Sequence, residues 1–124
     1  MDDEEGEIVR AEDLMHTEVI HVSPDDPLSD AVHLMEEEAY SQLPVLQDGL
    51  PVGSISQGDL VHVDEEARDY PVERHMIGAC QTVTRDTTLE EVSKRLDYDK
   101  AVLVTERGKT IGIITEADLA SRLG

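Results

Sequence analysis

The sequence predicts a mixed α/β fold of two pseudo-symmetric β-α-β-β-α repeats packed as one pair, and three observations predict it. Residues 53–59 read Gly-Ser-Ile-Ser-Gln-Gly-Asp before Leu60, and residues 112–118 read Gly-Ile-Ile-Thr-Glu-Ala-Asp before Leu119, 59 positions later. Met15, Val22, Asp25 and Leu28 recur as Met76, Val83, Asp86 and Leu89, 61 positions later, so the second copy is two residues shorter between about 35 and 42. Gly49 and Gly108 each follow a polar residue between two apolar runs. Self-similarity at a fixed spacing marks a duplicated structural unit.

The repeats set the boundaries. Residues 1–8 form an acidic N-terminal tail, 9–60 the first repeat, 61–69 a linker or short helical connection bearing Asp64, Glu65 and Glu66, and 70–122 the second repeat. A unit of about 50 residues buries too little surface to be comfortable alone, which predicts two copies sharing one core.

Each element has a local cause. Val19, Ile20 and Val22 make a short extended run, matched by Cys80 to Val83. A helix follows in each copy. In the first, Asp26 suits a cap and Pro27 the first helical position, with Leu28, Ala31, Val32 and Met35 on one face. In the second, Thr87 to Glu90 reads as a capping box, with Leu89, Val92 and Leu96 on one face. Leu43–Leu46 and Val102–Val104 are short apolar strands, Asp48-Gly49 and Arg107-Gly108 hairpin turns, and Val52–Ile55 and Ile111–Ile114 the partner strands. A second helix starts at Ser56 and at Thr115.

The 124 residues carry 29 Asp and Glu against 10 Lys and Arg, a formal charge of −19. Such a field repels phosphate backbones and anionic lipid, so no direct nucleic-acid or membrane binding is expected. No apolar run approaches the ~20 residues of a membrane span, and no basic-then-apolar leader opens the chain. One cysteine cannot staple a secreted domain. Acid excess, seven Arg against three Lys, and aromatics limited to three Tyr suggest a protein that works in concentrated salt, in the cytoplasm of a halophilic archaeon. A Debye length of ~3 Å at 1 M screens the self-repulsion there.

The segment Glu12-Asp13-Leu14-Met15 before Val19-Ile20-His21-Val22, the Leu43-Pro44-Val45 strand, the Asp48-Gly49 hairpin and the two Gly-to-Asp endings together resemble the CBS domain family, named after cystathionine β-synthase. The resemblance runs from about residue 9 to 122. It implies a Bateman module: a regulatory, non-enzymatic CBS pair that binds an adenosine derivative (AMP, ADP, ATP or S-adenosylmethionine) between its copies and signals to an effector protein. It implies no required cofactor and a homodimer of pairs, with Met35, Leu60, Leu96 and Leu119 as candidate contacts.

The endings carry the chemistry. An ionised Asp accepts two hydrogen bonds and a ribose offers two adjacent hydroxyls, so Asp59 and Asp118 would each grip one ribose edge. Ser56 and Thr115 stand at helix starts, where free backbone N–H groups favour a phosphate. Gly53 and Gly112 would let a ligand approach the backbone. The same spacing also reads as plain helix capping, in which Asp serves backbone donors alone. The resemblance further implies that one cleft joins Thr115 and Asp118 to Ile20, Tyr40, Ser41 and Leu43, with Ile20 and Tyr40 around the adenine. The other would join Ser56 and Asp59 to Gln81, Asp99, Lys100 and Ala101. Lys100 matches a position of basic phosphate contacts, while Asp99 and Gln81 replace apolar ones, so the first cleft is favoured. It has no basic residue of its own, which favours AMP, adenosine or S-adenosylmethionine over ATP unless Arg10 or another arginine folds into it. The competing reading is a ligand-free dimerisation and assembly module.

Other groups predict less. His16, His21, His33, His62 and His75 lack metal-ligand spacing and read as surface or core-edge residues. Cys80 reads as a small core residue.

Overall fold

The computed structural model describes residues 8–60 and 65–123, apart from the side chains of Asp59, Arg122 and Leu123. Most of the acidic tail and residues 61–64 of the expected linker lie outside the described residues. In chain order the helices and strands are α1 (Ala11–Leu14), α2 (Leu28–Glu38), β1 (Gln42–Gln47), β2 (Leu50–Ser56), α3 (Gln57–Leu60), β3 (Thr82–Thr84), α4 (Leu89–Leu96), β4 (Ala101–Glu106), β5 (Lys109–Thr115) and α5 (Glu116–Leu123). Glu65–Asp69 and Val72–Arg74 are 3-10 helices. The mixed α/β class is thus the observed one.

The chain divides into two compact units, and their borders are offset from the sequence repeats. One unit is Ile20–Cys80; the other joins the chain up to Val19 to the chain from Gln81. Each repeat has therefore given its leading segment to the other copy's unit.

In the unit Ile20–Cys80, β1 and β2 form an antiparallel hairpin with a register shift between Val45 and Leu46. Asp48 and Gly49 both have positive φ, 52° and 84°, the backbone that a two-residue turn of this hand needs. Within the expected first strand, Val22 bridges Val45 in parallel, its N–H donating to Pro44 O at 3.2 Å. Helix α2 buries Leu28, Ala31 and Met35 and ends on left-handed Ala39. Pro27 is its N-cap rather than its first helical residue. Asp26 does not cap it with its side chain, because that carboxylate accepts the Ser23 N–H at 2.8 Å. The core comprises Val22, Leu28, Ala31, Met35, Leu43, Val45, Ile55 and Val72.

The other unit repeats the plan with a fuller sheet. β3 pairs in parallel with β4, and β4 antiparallel with β5, with a shift between Val104 and Thr105. Arg107 and Gly108 repeat the positive φ values, 56° and 84°. The α4 cap is one residue later than the sequence suggests: Thr88 accepts from Glu91 N, while Thr87 Oγ1 accepts from Thr84 N at 3.0 Å. Ala11, Leu14, Val83, Val92, Leu96, Val102, Val104 and Ile114 form its core.

The same backbone bonds dock each leading segment. Ala11 N donates to Thr87 O, Glu12 N to Arg85 O, and Leu89 N to Val9 O. Register for register, Val72 N donates to Asp26 O, Glu73 N to Pro24 O, and Leu28 N to Tyr70 O. Val72 and Ala11 are each fully buried at the matching position. Burying a small apolar side chain and satisfying otherwise orphaned backbone groups favours this docking twice over.

Candidate functional site at the Thr115–Asp118 ending

Strand β5 runs directly into α5, so Thr115 is both the last strand residue and the residue that opens the helix. Its N–H donates to Asp118 Oδ2 at 2.7 Å, and its hydroxyl reaches the same oxygen at 3.2 Å. Asp118 stands three residues on, where a carboxylate reaches back to the first orphan N–H of the helix. Capping is therefore one function this Asp performs.

The carboxylate has a third donor. His16 Nε2 lies 2.5 Å from Asp118 Oδ1. The His16 backbone is pinned to β5 by a reciprocal pair of bonds, His16 N to Ile113 O at 2.9 Å and Ile113 N to His16 O at 3.0 Å. Its side chain is 64% exposed, against 14% for Asp118. Sequence reasoning gave His16 a surface or core-edge place and missed its partner. The signal was present but displaced: His16 belongs to the first repeat by sequence and to the second by packing.

The glycines of the two endings have a different role from the one expected. A Cβ on Gly112 would lie 2.5 Å from the Met15 sulfur and 2.9 Å from Met15 Cβ. A Cβ on Gly53 would lie 2.8 Å from both the Ile77 carbonyl oxygen and the Met76 sulfur. Both glycines thus admit the methionine of a leading segment, so the close approach they permit is made by protein rather than by a ligand. Arg10 is likewise committed: its Nη1 donates to the Asp86 carbonyl at 2.7 Å.

The remaining expected site residues fall in both units. Ile20, half-buried, packs against the core of its unit, and Leu43 is fully buried there, with its side chain closed to a ligand. Tyr40 is 44% exposed just beyond the left-handed Ala39, with its N–H on Met35 O, and Ser41 is exposed with its carbonyl accepting Gln57 N at 2.8 Å. Ser56 ends β2 opposite Gln42, and Asp59 lies on α3. Gln81 accepts from Leu103 N through its carbonyl and from Arg95 Nη1 through its side chain at 3.4 Å, while Lys100 is exposed. Thr115 and Asp118 are brought together within one unit; Ile20, Tyr40, Ser41 and Leu43 belong to the other. Among the described residues, no group of three or more His, Cys, Asp or Glu is placed to hold a metal ion. No described helix is long and apolar enough to cross a membrane.

Comparison with known proteins agrees with this duplicated architecture. A zinc metalloprotease of Methanocaldococcus jannaschii is 29% identical over 111 residues, covering 90% of this chain and 31% of the relative. An inosine-5'-monophosphate dehydrogenase of Korarchaeum cryptofilum is 31% identical over 118 residues, covering 93% and 24%. The chain thus spans a quarter to a third of the length of these two curated relatives. Among solved structures, a Methanocaldococcus jannaschii protein superposes with a TM-score of 0.87 at 21% identity, covering 93% of this chain and 59% of that one. CBSX2 of Arabidopsis thaliana, crystallised with AMP, gives 0.81 at 25% identity, covering 93% and 96%. The CBS domain family matches at residues 11–66 and again at 67–124. With two matches that together span nearly its whole length, the chain belongs to the CBS domain family.

Proposed function

We propose that this chain is a regulatory CBS pair that binds an adenosine derivative, AMP foremost, through the Thr115–Asp118 ending and relays its occupancy to an effector protein. The observation that carries the reading is the Asp118 carboxylate, held in place by Thr115 at the start of an eight-residue helix and only partly buried. A carboxylate so oriented is of the kind that accepts ribose hydroxyls. The AMP complex of CBSX2 supports the ligand class. The acidic composition supports concentrated salt as the working medium.

Titration calorimetry at molar salt with AMP, ATP and S-adenosylmethionine tests this. AMP should bind, and Asp118→Ala should abolish its binding. Tyr40→Ala in the same titration tests the base contact that the family resemblance assigns to Tyr40 and Ile20. Binding of none of the three ligands, or binding that survives Asp118→Ala, overturns the assignment. One observation favours the competing assembly module: both Asp118 oxygens already have protein donors. Unchanged sedimentation and melting in every nucleotide would establish that reading instead.

A further inference from the structure

The donors around Asp118 do not leave room for a ribose as they stand. An ionised carboxylate offers about four acceptor sites. Thr115 takes two on Oδ2 through its N–H and hydroxyl, and His16 takes one on Oδ1. One site is left, whereas a ribose 2',3'-diol asks for two. The group able to give way is His16, because Thr115 is held by the helix start while the exposed imidazole turns on a pinned backbone.

We propose that His16 is a specificity-determining residue of the Asp118 site: it occupies the oxygen that a ribose diol needs, so binding of a ribonucleoside displaces the imidazole and is opposed when that imidazole is protonated. This rests on the functional reading above. Among the described side chains, the charged groups on the elements packed against His16 are Glu12 and Asp13 on α1, Lys109 on β5, and Glu116 and Asp118 on α5, with Glu18 following in the chain. Asp13 accepts the Arg10 N–H and Glu12 pairs with Arg85, and among the described residues the ion-pair partner of His16 is Asp118. A protonated imidazole makes a charge-assisted bond to a carboxylate that a neutral one does not, so the competition is strongest where the imidazole is charged. At the matching position of the other unit stands Ile77, bonded to Ser54 by the same reciprocal pair and lacking any polar side-chain atom. The His16–Asp118 contact belongs to one of the two units.

The test compares the wild type with His16→Ala, using AMP and 2'-deoxy-AMP at pH 6 and pH 8. The phosphate of either ligand titrates near pH 6, but identically for both proteins, so the difference between proteins isolates His16. At pH 6, His16→Ala should bind AMP about three- to tenfold more tightly than the wild type, as expected for loss of one charge-assisted bond. The gain should shrink at pH 8 and be absent for 2'-deoxy-AMP, which needs a single acceptor. Equal or weaker AMP binding by His16→Ala at pH 6 overturns the proposal while leaving the functional reading intact. Failure of both proteins to bind AMP at either pH overturns both. In the ligand-free protein, Asp118→Asn should shift the His16 ring resonances, and unmoved resonances would overturn the contact itself.

Discussion

The sulfur of Met15 occupies the space where a side chain on Gly112 would begin, 2.5 Å from that Cβ position. Met76 stands to Gly53 in the same relation at 2.8 Å. Two features of each repeat that look independent in the sequence, a leading Met and a late Gly, are the two halves of one contact. Each contact crosses from one repeat to the other.

The two contacts differ in what can yield. At Gly112 the three nearest atoms all belong to the Met15 side chain, whereas at Gly53 one of them is the Ile77 backbone oxygen. Gly112→Ala should cost about 1–3 kcal/mol, as overpacking does, and combining it with Met15→Ala should cost less than the two single changes added together. Gly53→Ala should cost a similar amount with less relief from Met76→Ala, because the carbonyl remains. Chemical denaturation of the four single and two double variants checks this, and equal rescue at both sites would contradict it.

Deleting residues 1–16 removes α1, Met15 and His16 from the unit that contains β3, β4 and β5. Hydrogen exchange should then quicken in β3–β5 and α5, while the β1–β2 hairpin keeps its protection. Loss of protection in residues 20–60 instead, as repeat boundaries alone would suggest, would refute the crossed docking.

Asp86 offers a pH prediction. The Thr84 hydroxyl donates to its carboxylate at 2.7 Å, and this bond, aided by a backbone bond and the Arg10 charge, holds the carboxyl below the ordinary 3.8. A depressed folded value means that the stabilising contribution is complete above 3.8 and is lost as pH falls through the lower folded value. Carboxyl-carbon NMR should find Asp86 titrating below 3.8 and moving up toward it in Thr84→Val. An unchanged midpoint in that variant would remove Thr84 as the cause.

The charge of −19 sets a salt prediction. Dialysis from molar to millimolar salt lengthens the Debye screening distance from ~3 Å to tens of ångströms and exposes the acidic surface to its own repulsion. The melting temperature should fall markedly. The exposed pairs of Arg85 with Glu12 and Glu106, and of Arg95 with Glu91, would strengthen at low salt. Each is worth at most ~1 kcal/mol and is outweighed. A salt-independent melting temperature would argue against the high-salt reading.

Local chemistry was legible in the sequence wherever it was decided locally. Asp48-Gly49 and Arg107-Gly108 turn where their composition says, since positive φ at two successive residues has few solutions. The helix faces of Leu28, Ala31 and Met35, and of Val92 and Leu96, follow from spacing alone. Caps were misjudged by one residue, because Asp26 and Thr87 had other backbone donors within reach, Ser23 N and Thr84 N. Linear reading could not show that Met15 and His16 dock on β5 rather than within their own repeat. That choice is made by long-range packing, and both copies carry equivalent segments. The same exchange hid the His16–Asp118 pair, in which a residue of the first repeat meets the ending of the second.

Crossed docking also imposes a timetable on synthesis. Every segment of the unit Ile20–Cys80 has been translated by residue 80, so it is able to close while the ribosome is still adding the rest. The segment with Ala11, Leu14 and Met15, made before that unit, meets its partners only as the chain from Val83 onward follows, and its Met15 contact only with β5. Nascent chains fold in the order in which complete partners emerge. Ala11, Leu14 and Met15 are therefore made before the unit Ile20–Cys80 yet find their place after it, carrying bare apolar side chains in the meantime.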